Sequence, residues 1–405
     1  MRLKPDFFKD NFHLLLFGFL FTFLSGFGQT FFISLFVPKL QAVFSLSDAE
    51  FSSLYALATL SSAFTLSWAG RFIDKLKLPI FSSRVMIGFV LSLLVFSQSY
   101  YVPVLFFALY GVRLFGQGMM SHTAMTSMVR FFEKNRGKAV SFAALGHPAG
   151  EAIFPIIIVS LMALFGWRIS LICAAVVVAV AIPLSLYLLM RGKRFSKLKL
   201  FVASVQSKED LKEAAILKIL GKKSFWILAP SSFASGSIGT AFLFFQLKLG
   251  EVKGWDATFI AATFSSYAFG NAMSTIAAGW LADRFSGRVL FPFYLLPFGI
   301  GLICLFFFDA KWVYLALISG IGISNGFGNT VKNAAMAEMF GVKVIGSVRS
   351  LFTTAMVFST AVGPVVFGVL LDFDISFEKI ALGSFFFFAL VSLNALRGVG
   401  LERSI

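Results

Sequence analysis

Long apolar segments, each about the length that crosses a bilayer, recur along the whole chain and constrain its fold more than any other feature. A transmembrane helix needs about 20 predominantly apolar residues, and twelve segments approach that length: His13–Val37, Ser52–Ala69, Val85–Ser99, Val104–Met125, Ala139–Leu164, Trp167–Met190, Ser224–Leu247, Thr258–Leu281, Val289–Phe308, Trp312–Val331, Ser350–Leu371 and Phe377–Leu396. Only 13% of the residues are charged, where a soluble domain has about 25%. The sequence therefore predicts an all-α membrane protein with twelve transmembrane helices.

The positive charge of the chain is distributed by side of the membrane. Between the predicted spans, most of the 35 Lys and Arg residues fall on the side that carries both termini, whereas the opposite side carries Lys39, Arg168, Lys248, Lys253, Lys311 and Lys379. By the positive-inside rule, both termini are predicted to be cytoplasmic. The net charge of +16 is thus a topology signal, and we expect a lipid bilayer, not nucleic acid, as the surrounding partner. A plasma membrane, and a bacterial inner membrane in particular, is the expected location.

The chain divides into two similar halves. The longest hydrophilic stretch, Arg191–Lys223, separates a predicted six-helix bundle at 1–190 from a second at 224–405, and is expected to be a basic cytoplasmic linker. Gly70-Arg-Phe-Ile-Asp74-Lys75 after the second span matches Gly279-Trp-Leu-Ala-Asp283-Arg284 after the eighth. The two aspartates are 209 residues apart, and Met128 and Met336, after the fourth and tenth spans, are 208 apart. Two matches at nearly one spacing predict a duplicated six-span unit.

The paired Gly-x-x-x-Asp-Lys/Arg loops, the twelve spans and the central basic loop resemble the major facilitator superfamily over essentially the whole chain. The stretch Arg113–Gly118, the loop Arg136–Ala139 and the fifth-span Gly146 and Gly150 are most similar to its monocarboxylate-porter and oxalate/formate-exchanger branch. The resemblance implies two pseudo-symmetric six-helix bundles that rock around a central site. It also implies that the loops with Gly70, Asp74, Lys75, Gly279, Asp283 and Arg284 form a cytoplasmic gate.

Three ionisable residues within spans are candidates for the transport chemistry. Glu151 lies near the middle of the fifth span, where an ionisable side chain is costly, so that it could carry a coupled proton or form a fixed ion pair. His147 precedes it by one helical turn and could share that proton, or could bond a neighbouring carbonyl. Arg113, near mid-depth in the fourth span, could bind an anionic substrate or pair with Glu151.

Uncharged polar residues in the spans are further candidates for contact with a substrate. Gln29, Asn271, Asn325 and Asn329 either hydrogen-bond a substrate or join neighbouring helices. Asn325 and Asn329 are one turn apart on the tenth span, and Lys332 continues their face near the cytoplasmic end, where its ammonium group can reach the interface.

Other function classes find no support in the sequence. There is no nucleotide-binding loop, no hydrolase constellation, and only Cys173 and Cys304, far apart, so no enzyme activity, metal site or cofactor is expected. The sequence predicts a secondary transporter, acting as a monomer and driven by a proton or other ion gradient. Its expected activity is proton-coupled uptake of a small organic anion.

Two rival functions remain open at this point. A proton-driven exporter of drugs or amphipathic metabolites fits the Phe-rich interior, but Gly146–Gly150 only partly matches the Gly-Pro-x-x-Gly-Gly signature of drug antiporters. A receptor that kept the fold without transporting would usually carry a soluble signalling domain, and the short predicted termini leave no room for one.

Overall fold

The protein is all-helical in the computed structural model, which describes residues 6–132, 135–190, 219–341 and 345–399. The chain forms two compact units. Unit 1 is built from Met1–Ser45 and Leu57–Val205, and unit 2 from Leu46–Ala56 and Gln206–Ile405. The predicted bundle boundaries differ from these at Leu46–Ala56, and most of the predicted linker lies outside the described residues.

Unit 1 contains the helices of the first six predicted spans. Their bounds are α1 (Asp6–Leu24), α2 (Thr30–Ile33), α3 (Val37–Phe44), α4 (Asp48–Ala69, of which the start belongs to unit 2), α5 (Phe72–Lys75), α6 (Leu78–Ser97), α7 (Val102–Gly111), α8 (Ser121–Phe131), α9 (Arg136–Ala144) and α10 (Gly146–Met190). A 3₁₀ turn at Ser25–Gly28 lies between α1 and α2, and a π-helical segment, Val112–Met120, joins α7 to α8.

Unit 2 contains the remaining described helices. These are α11 (Lys223–Phe244), α12 (Gln246–Lys253), α13 (Ala257–Phe285), α14 (Gly287–Leu290), α15 (Leu296–Phe307), α16 (Lys311–Phe340), α17 (Ile345–Asp372) and α18 (Phe377–Leu396).

The helices confirm the all-α membrane fold. Within the described residues, eight helical stretches are long and apolar enough to cross a membrane. One of them, 136–190, holds two spans, because Gly166 breaks α10 with a φ of 80°, at the boundary that the sequence predicts between Leu164 and Trp167. The helices α4, α13 and α16 are 22, 29 and 30 residues long but more polar, and they complete the twelve.

The phenylalanine side chains fall into two groups, one buried in the core and one exposed on the surface. Phe17, Phe21, Phe32 and Phe36 are fully buried in unit 1 and fill its core, whereas Phe64 is 78% exposed. A soluble protein could not leave many such side chains in water, but a bilayer solvates them. The exposed apolar residues are therefore those expected of a lipid-facing surface.

Unit 2 is held together by close helix approach and by a polar cluster at one end. On α16, Gly322 lies against the Tyr267 carbonyl and Gly326 against the Asn271 carbonyl of α13. At the end of α17, the carboxylate of Asp372 accepts hydrogen bonds from the backbone N–H groups of Asp48 and Ala49 at the start of α4, both at 3.0 Å. Such a carboxylate satisfies amide groups that a helix start leaves without partners.

Candidate functional site

The first span of unit 1 is a broken helix. After α1 ends at Leu24, the 3₁₀ turn leads to Gln29, which is extended (φ −82°, ψ 159°), and the helix resumes at Thr30. Backbone carbonyls that lose their helical partners at membrane depth must find others within the protein. Discontinuous helices of this kind are a recurrent feature of transporter sites.

Arg113 donates hydrogen bonds to polar groups at the break. Its Nη1 group donates to the Gly28 carbonyl at 3.3 Å and to Oγ1 of Thr30 at 3.4 Å, and the residue is only 2% exposed. The positive charge predicted for the fourth span is therefore directed at the break in the first span. Gln29, another predicted site residue, forms the extended corner of that break and is half-buried.

The π-helical segment that carries Arg113 packs tightly on the break. A Cβ added at Gly28 would lie 2.5 Å from the Gln117 nitrogen and 2.7 Å from the Gly116 Cα, so the two backbones are in contact. π-Helical segments are rare and are frequent at functional sites. The sequence did not predict either irregularity.

The fifth span brings His147 and Glu151 to the same region of unit 1. Nδ1 of His147 lies 3.4 Å from Oγ of Ser25, in the 3₁₀ turn. One helical turn further along, Oε2 of Glu151 is closed to solvent and has no hydrogen-bond partner. The ring of Phe154 stacks on that of Phe27 with centroids 4.0 Å apart, which holds this face of the fifth span against the break.

Arg113 and Glu151 form no ion pair among the described residues, so the fixed pair that the sequence left open is not present in this conformation. Beside the broken helix, unit 1 thus holds a carboxyl oxygen that has no hydrogen-bond partner among the described residues.

In unit 2, the polar residues of the eighth and tenth spans divide into two groups. Nδ2 of Asn325 donates to the hydroxyl of Tyr267 at 3.1 Å, so this asparagine joins α16 to α13. The carbonyl of Asn271 accepts bonds from Ser274 and Thr275, one turn later on the same helix. Asn329 is exposed instead and faces a cavity.

That cavity, which we call the unit 2 cavity, has a volume of about 190 Å³. Its lining combines basic, polar and apolar side chains: Ser232, Asn329, Lys332, Asn333, Met336, Arg349, Phe352, Thr353 and Met356. Of these, the sequence predicted Asn329 as a site residue, treated Lys332 as a snorkelling side chain, and did not single out Arg349. The spacing of Asn329 and Lys332, three residues apart on one helix, is the signal that points to this surface.

The predicted gate loop of unit 1 is closed by an ion pair. Asp74 pairs with Arg130, which follows the fourth span and also donates to the Ile73 carbonyl at 3.2 Å. Gly70 is buried, and the ammonium of Lys75 lies 5.8 Å from the ring centroid of Phe72.

The corresponding loop of unit 2 uses the opposite arrangement of charge. Asp283 is exposed and makes no ion pair with any described residue, while Arg284 stacks on Phe285 at 5.3 Å and Gly279 is half-buried. The acidic group comes from α16, where Glu338 accepts from the backbone nitrogens of Gly287 at 2.7 Å and Arg288 at 3.1 Å. Glu338 lies 208 residues after Arg130. At these matched positions, Arg130 of unit 1 binds its loop through a cation, and Glu338 of unit 2 binds the corresponding loop through a carboxylate.

Comparison with known proteins agrees with this architecture. The sequence profile described as Major Facilitator Superfamily matches residues 18–364 and 231–399, and the chain belongs to that superfamily. It is a membrane transporter and not an enzyme.

Among solved structures, the crystal structure of the nucleoside transporter NupG aligns with a TM-score of 0.76 at 12% sequence identity, over 97% of this chain and 99% of that one. A bacterial homolog of the human lysosomal transporter Spinster, in an inward-facing and occupied conformation, aligns with a TM-score of 0.71 at 16% identity, over 98% of each chain. A search of curated protein sequences gives no significant match. At these identities the likeness concerns the fold alone.

Proposed function

We propose that this protein is a secondary transporter that couples proton movement to uptake of a small organic anion by alternating access. The substrate contacts we assign are Arg113 and the polar residues at the break in unit 1, together with Asn271, Asn325 and Asn329 in unit 2. Glu151, with His147, is the proton site. Both termini are assigned to the cytoplasmic side of a bacterial inner membrane, and the protein is proposed to function as a monomer.

The observation that carries this proposal is the buried Oε2 of Glu151, which has no hydrogen-bond partner among the described residues. An ionised carboxylate oxygen without a hydrogen-bond donor costs several kcal/mol in a low-dielectric interior. The proposal is therefore that Glu151 holds a proton in the conformation described here and releases it in a conformation that exposes Oε2 to water. A group that is protonated in one state and ionised in another couples a proton to the conformational cycle.

The anionic character of the substrate is supported by the charges inside the spans. Arg113 keeps its positive charge at any accessible pH and lies at a helix break, where a substrate can meet both side-chain and main-chain donors. Arg113 lies in the fourth span and Lys332 on the helix of the tenth span. Their positive charges attract an anion and repel a cation. The resemblance to the monocarboxylate-porter branch points the same way.

The test is transport into proteoliposomes with a panel of radiolabelled carboxylates and a nucleoside, the class named for one structural neighbour. With one coupled proton, each pH unit of inward gradient is worth about 1.4 kcal/mol and drives about tenfold accumulation. We expect one carboxylate to accumulate in this way.

The variant that isolates the proton site is Glu151→Gln, which keeps the shape of the side chain and removes its titration. It should abolish accumulation yet retain exchange of labelled for unlabelled substrate. Glu251→Gln, on an exposed carboxylate, is the matched control and should accumulate like the wild type. Gradient-driven accumulation by Glu151→Gln would refute the coupling role. Gradient-driven efflux of amphipathic compounds, with no carboxylate uptake, would favour the exporter.

A further inference from the structure

Two cations, Lys332 and Arg349, line the unit 2 cavity, and none of the described lining residues is acidic. Among the described residues, no acidic side chain lies within ion-pair distance of Lys332 or Arg349. Elsewhere in unit 2, Lys248 pairs with Asp48, and Lys253 pairs with two acidic groups.

The ammonium group of the half-buried Lys332 lies near an aromatic ring. The residue lies within α16, and its Nζ is 5.8 Å from the ring centroid of Tyr294. That ring is held in place because its hydroxyl donates to the Ser231 carbonyl at 2.6 Å. A cation over an aromatic face gains a modest attraction, which fixes where the ammonium lies but does not neutralise it.

The remaining lining specifies the kind of anion that would complete the site. The side chains of Asn329 and Thr353 offer hydrogen-bond donors to an oxyanion, and Arg349 adds a planar guanidinium suited to two oxygens at once. Asn333 donates one of its two N–H groups to the Asn329 carbonyl at 2.7 Å, and Ser232 donates its hydroxyl to the Leu228 carbonyl at 3.1 Å. Met336, Phe352 and Met356 form an apolar wall. Small-molecule sites combine an apolar lining with a few polar groups that fix the orientation of the ligand.

We propose that the unit 2 cavity binds a small organic acid, with its carboxylate between Lys332 and Arg349 and its apolar body against Phe352 and the two methionines. The volume of about 190 Å³ admits such a molecule, whereas sites for drug-sized ligands occupy roughly 300–1,000 Å³. The inference rests on the proposed function in taking the occupant to be the transported anion. The binding itself requires no proton coupling.

The experiment is equilibrium binding to the purified full-length protein in zwitterionic nanodiscs, read as the shift in thermal unfolding with added acetate, benzoate or inorganic phosphate. Ligand that binds the folded state stabilises it by RT ln(1 + L/Kd), where L is the ligand concentration, so the unfolding temperature rises with ligand concentration once that concentration exceeds Kd. We expect a concentration-dependent shift with benzoate, a weaker one with acetate because it lacks the apolar body, and none with benzamide, which has the same ring without the charge.

Substitutions locate the binding. Lys332→Gln and Arg349→Gln should each weaken benzoate binding at least tenfold, because each removes a charge-assisted contact, and Lys39→Gln, an exposed lysine of unit 1, should leave it unchanged. Glu151→Gln should also bind benzoate as the wild type does, which separates failure of this site from failure of the coupling mechanism.

The proposal is overturned if no anion of the panel shifts the wild type more than the Lys332→Gln/Arg349→Gln double variant. It is also overturned if benzoate gives no shift in zwitterionic nanodiscs while anionic lipid alone raises the unfolding temperature of the wild type but not of the double variant, because the occupant is then a lipid headgroup.

Discussion

Replacement of Gly28 by alanine tests whether the break in the first span is built on direct backbone contact. The added Cβ would meet the Gln117 nitrogen at 2.5 Å and both the Gly116 Cα and the Val112 carbonyl oxygen at 2.7 Å. Ordinary contact begins near 3.4 Å, so the break and the π-helical segment must separate by about 0.9 Å. All three atoms belong to the backbone, so no change of side-chain rotamer can relieve the overlap.

The expected cost follows from that geometry. Overpacking of a tight interior typically costs 1–3 kcal/mol, and alanine recovers only about 0.5–1 kcal/mol through the lower entropy of the unfolded chain. The matched control is Gly383→Ala in α18, where an added Cβ meets nothing within 4 Å. That variant should be unchanged or slightly stabilised, so the two alanine variants should differ by about 2 kcal/mol.

The assay is the rate of irreversible unfolding of the purified protein at a fixed temperature, because membrane proteins of this size rarely unfold reversibly. Gly28→Ala should unfold several-fold faster than Gly383→Ala and transport more slowly, since Arg113 then loses its contact with the Gly28 carbonyl. Gly116→Ala should also be destabilising, because its Cβ would meet the Phe89 ring at 2.5 Å and the Gly28 Cα at 2.8 Å. The double variant should cost less than the sum, because the contact between Gly28 and Gly116 is common to both single variants. Equal unfolding rates for Gly28→Ala and Gly383→Ala would refute the argument from backbone contact.

Two further predictions concern the charged clusters of unit 2. Hydrogen bonds to Asp309 and Glu378 outweigh the opposing effect of burial and raise the pKa of Lys253 above its usual value. The stabilisation they provide is fully present below the ordinary lysine pKa and is lost only as the pH rises through the higher folded value. Lys253→Met should therefore speed unfolding equally at pH 6 and pH 9, and a loss of the difference at pH 9 would contradict the ion pairs. Glu338→Ala, which removes the acceptor at the start of α14, should cost about 1 kcal/mol, whereas Asp283→Ala should change unfolding little, as measured by the same assay.

The positions of the spans were predictable because each residue that contacts lipid must be apolar, so every span appears in the sequence as an apolar segment. The expected limits of the sixth span, Trp167–Met190, agree with α10 after its break, since a glycine with a positive φ can be anticipated where two apolar runs meet. The break at Ser25–Gly28 was not predictable. The glycines Gly26 and Gly28 weaken a helix locally, but the contacts that complete the break come from the fourth span, where Gly116 permits the approach and Arg113 bonds the Gly28 carbonyl.

The unit 2 cavity escaped prediction for a related reason. Helix α16 continues to Phe340, beyond the predicted end at Val331, so Lys332 lies inside a helix and not at its end. Helix α17 begins at Ile345, before the predicted Ser350, and so includes Arg349. Polar ends of transmembrane helices and loop residues have the same composition, and only the fold distinguishes them.

The duplication of the chain gives an independent reason to assign function to these charges. At the repeat spacing of 208–209 residues, Glu151 corresponds to Ser359 or Thr360, and Arg349 corresponds to Val140 or Ser141. Each half therefore folds without the charge that the other half carries, so the fold requires neither. Unit 1 supplies the carboxyl group of Glu151, which is assigned to the proton, and unit 2 supplies Lys332 and Arg349, which are assigned to the anion, with Arg113 of unit 1 as a further substrate contact. The proton and the carboxylate at Lys332 and Arg349 are therefore assigned to different groups in different units.

This division predicts an asymmetric pair of phenotypes. Arg349→Gln should lose both anion binding and accumulation, because a transporter cannot couple a solute that it does not hold. Glu151→Gln should lose accumulation alone. Loss of anion binding in Glu151→Gln, measured by the benzoate shift, would mean that the carboxyl group and the cations act as one site and that the division between the units is wrong.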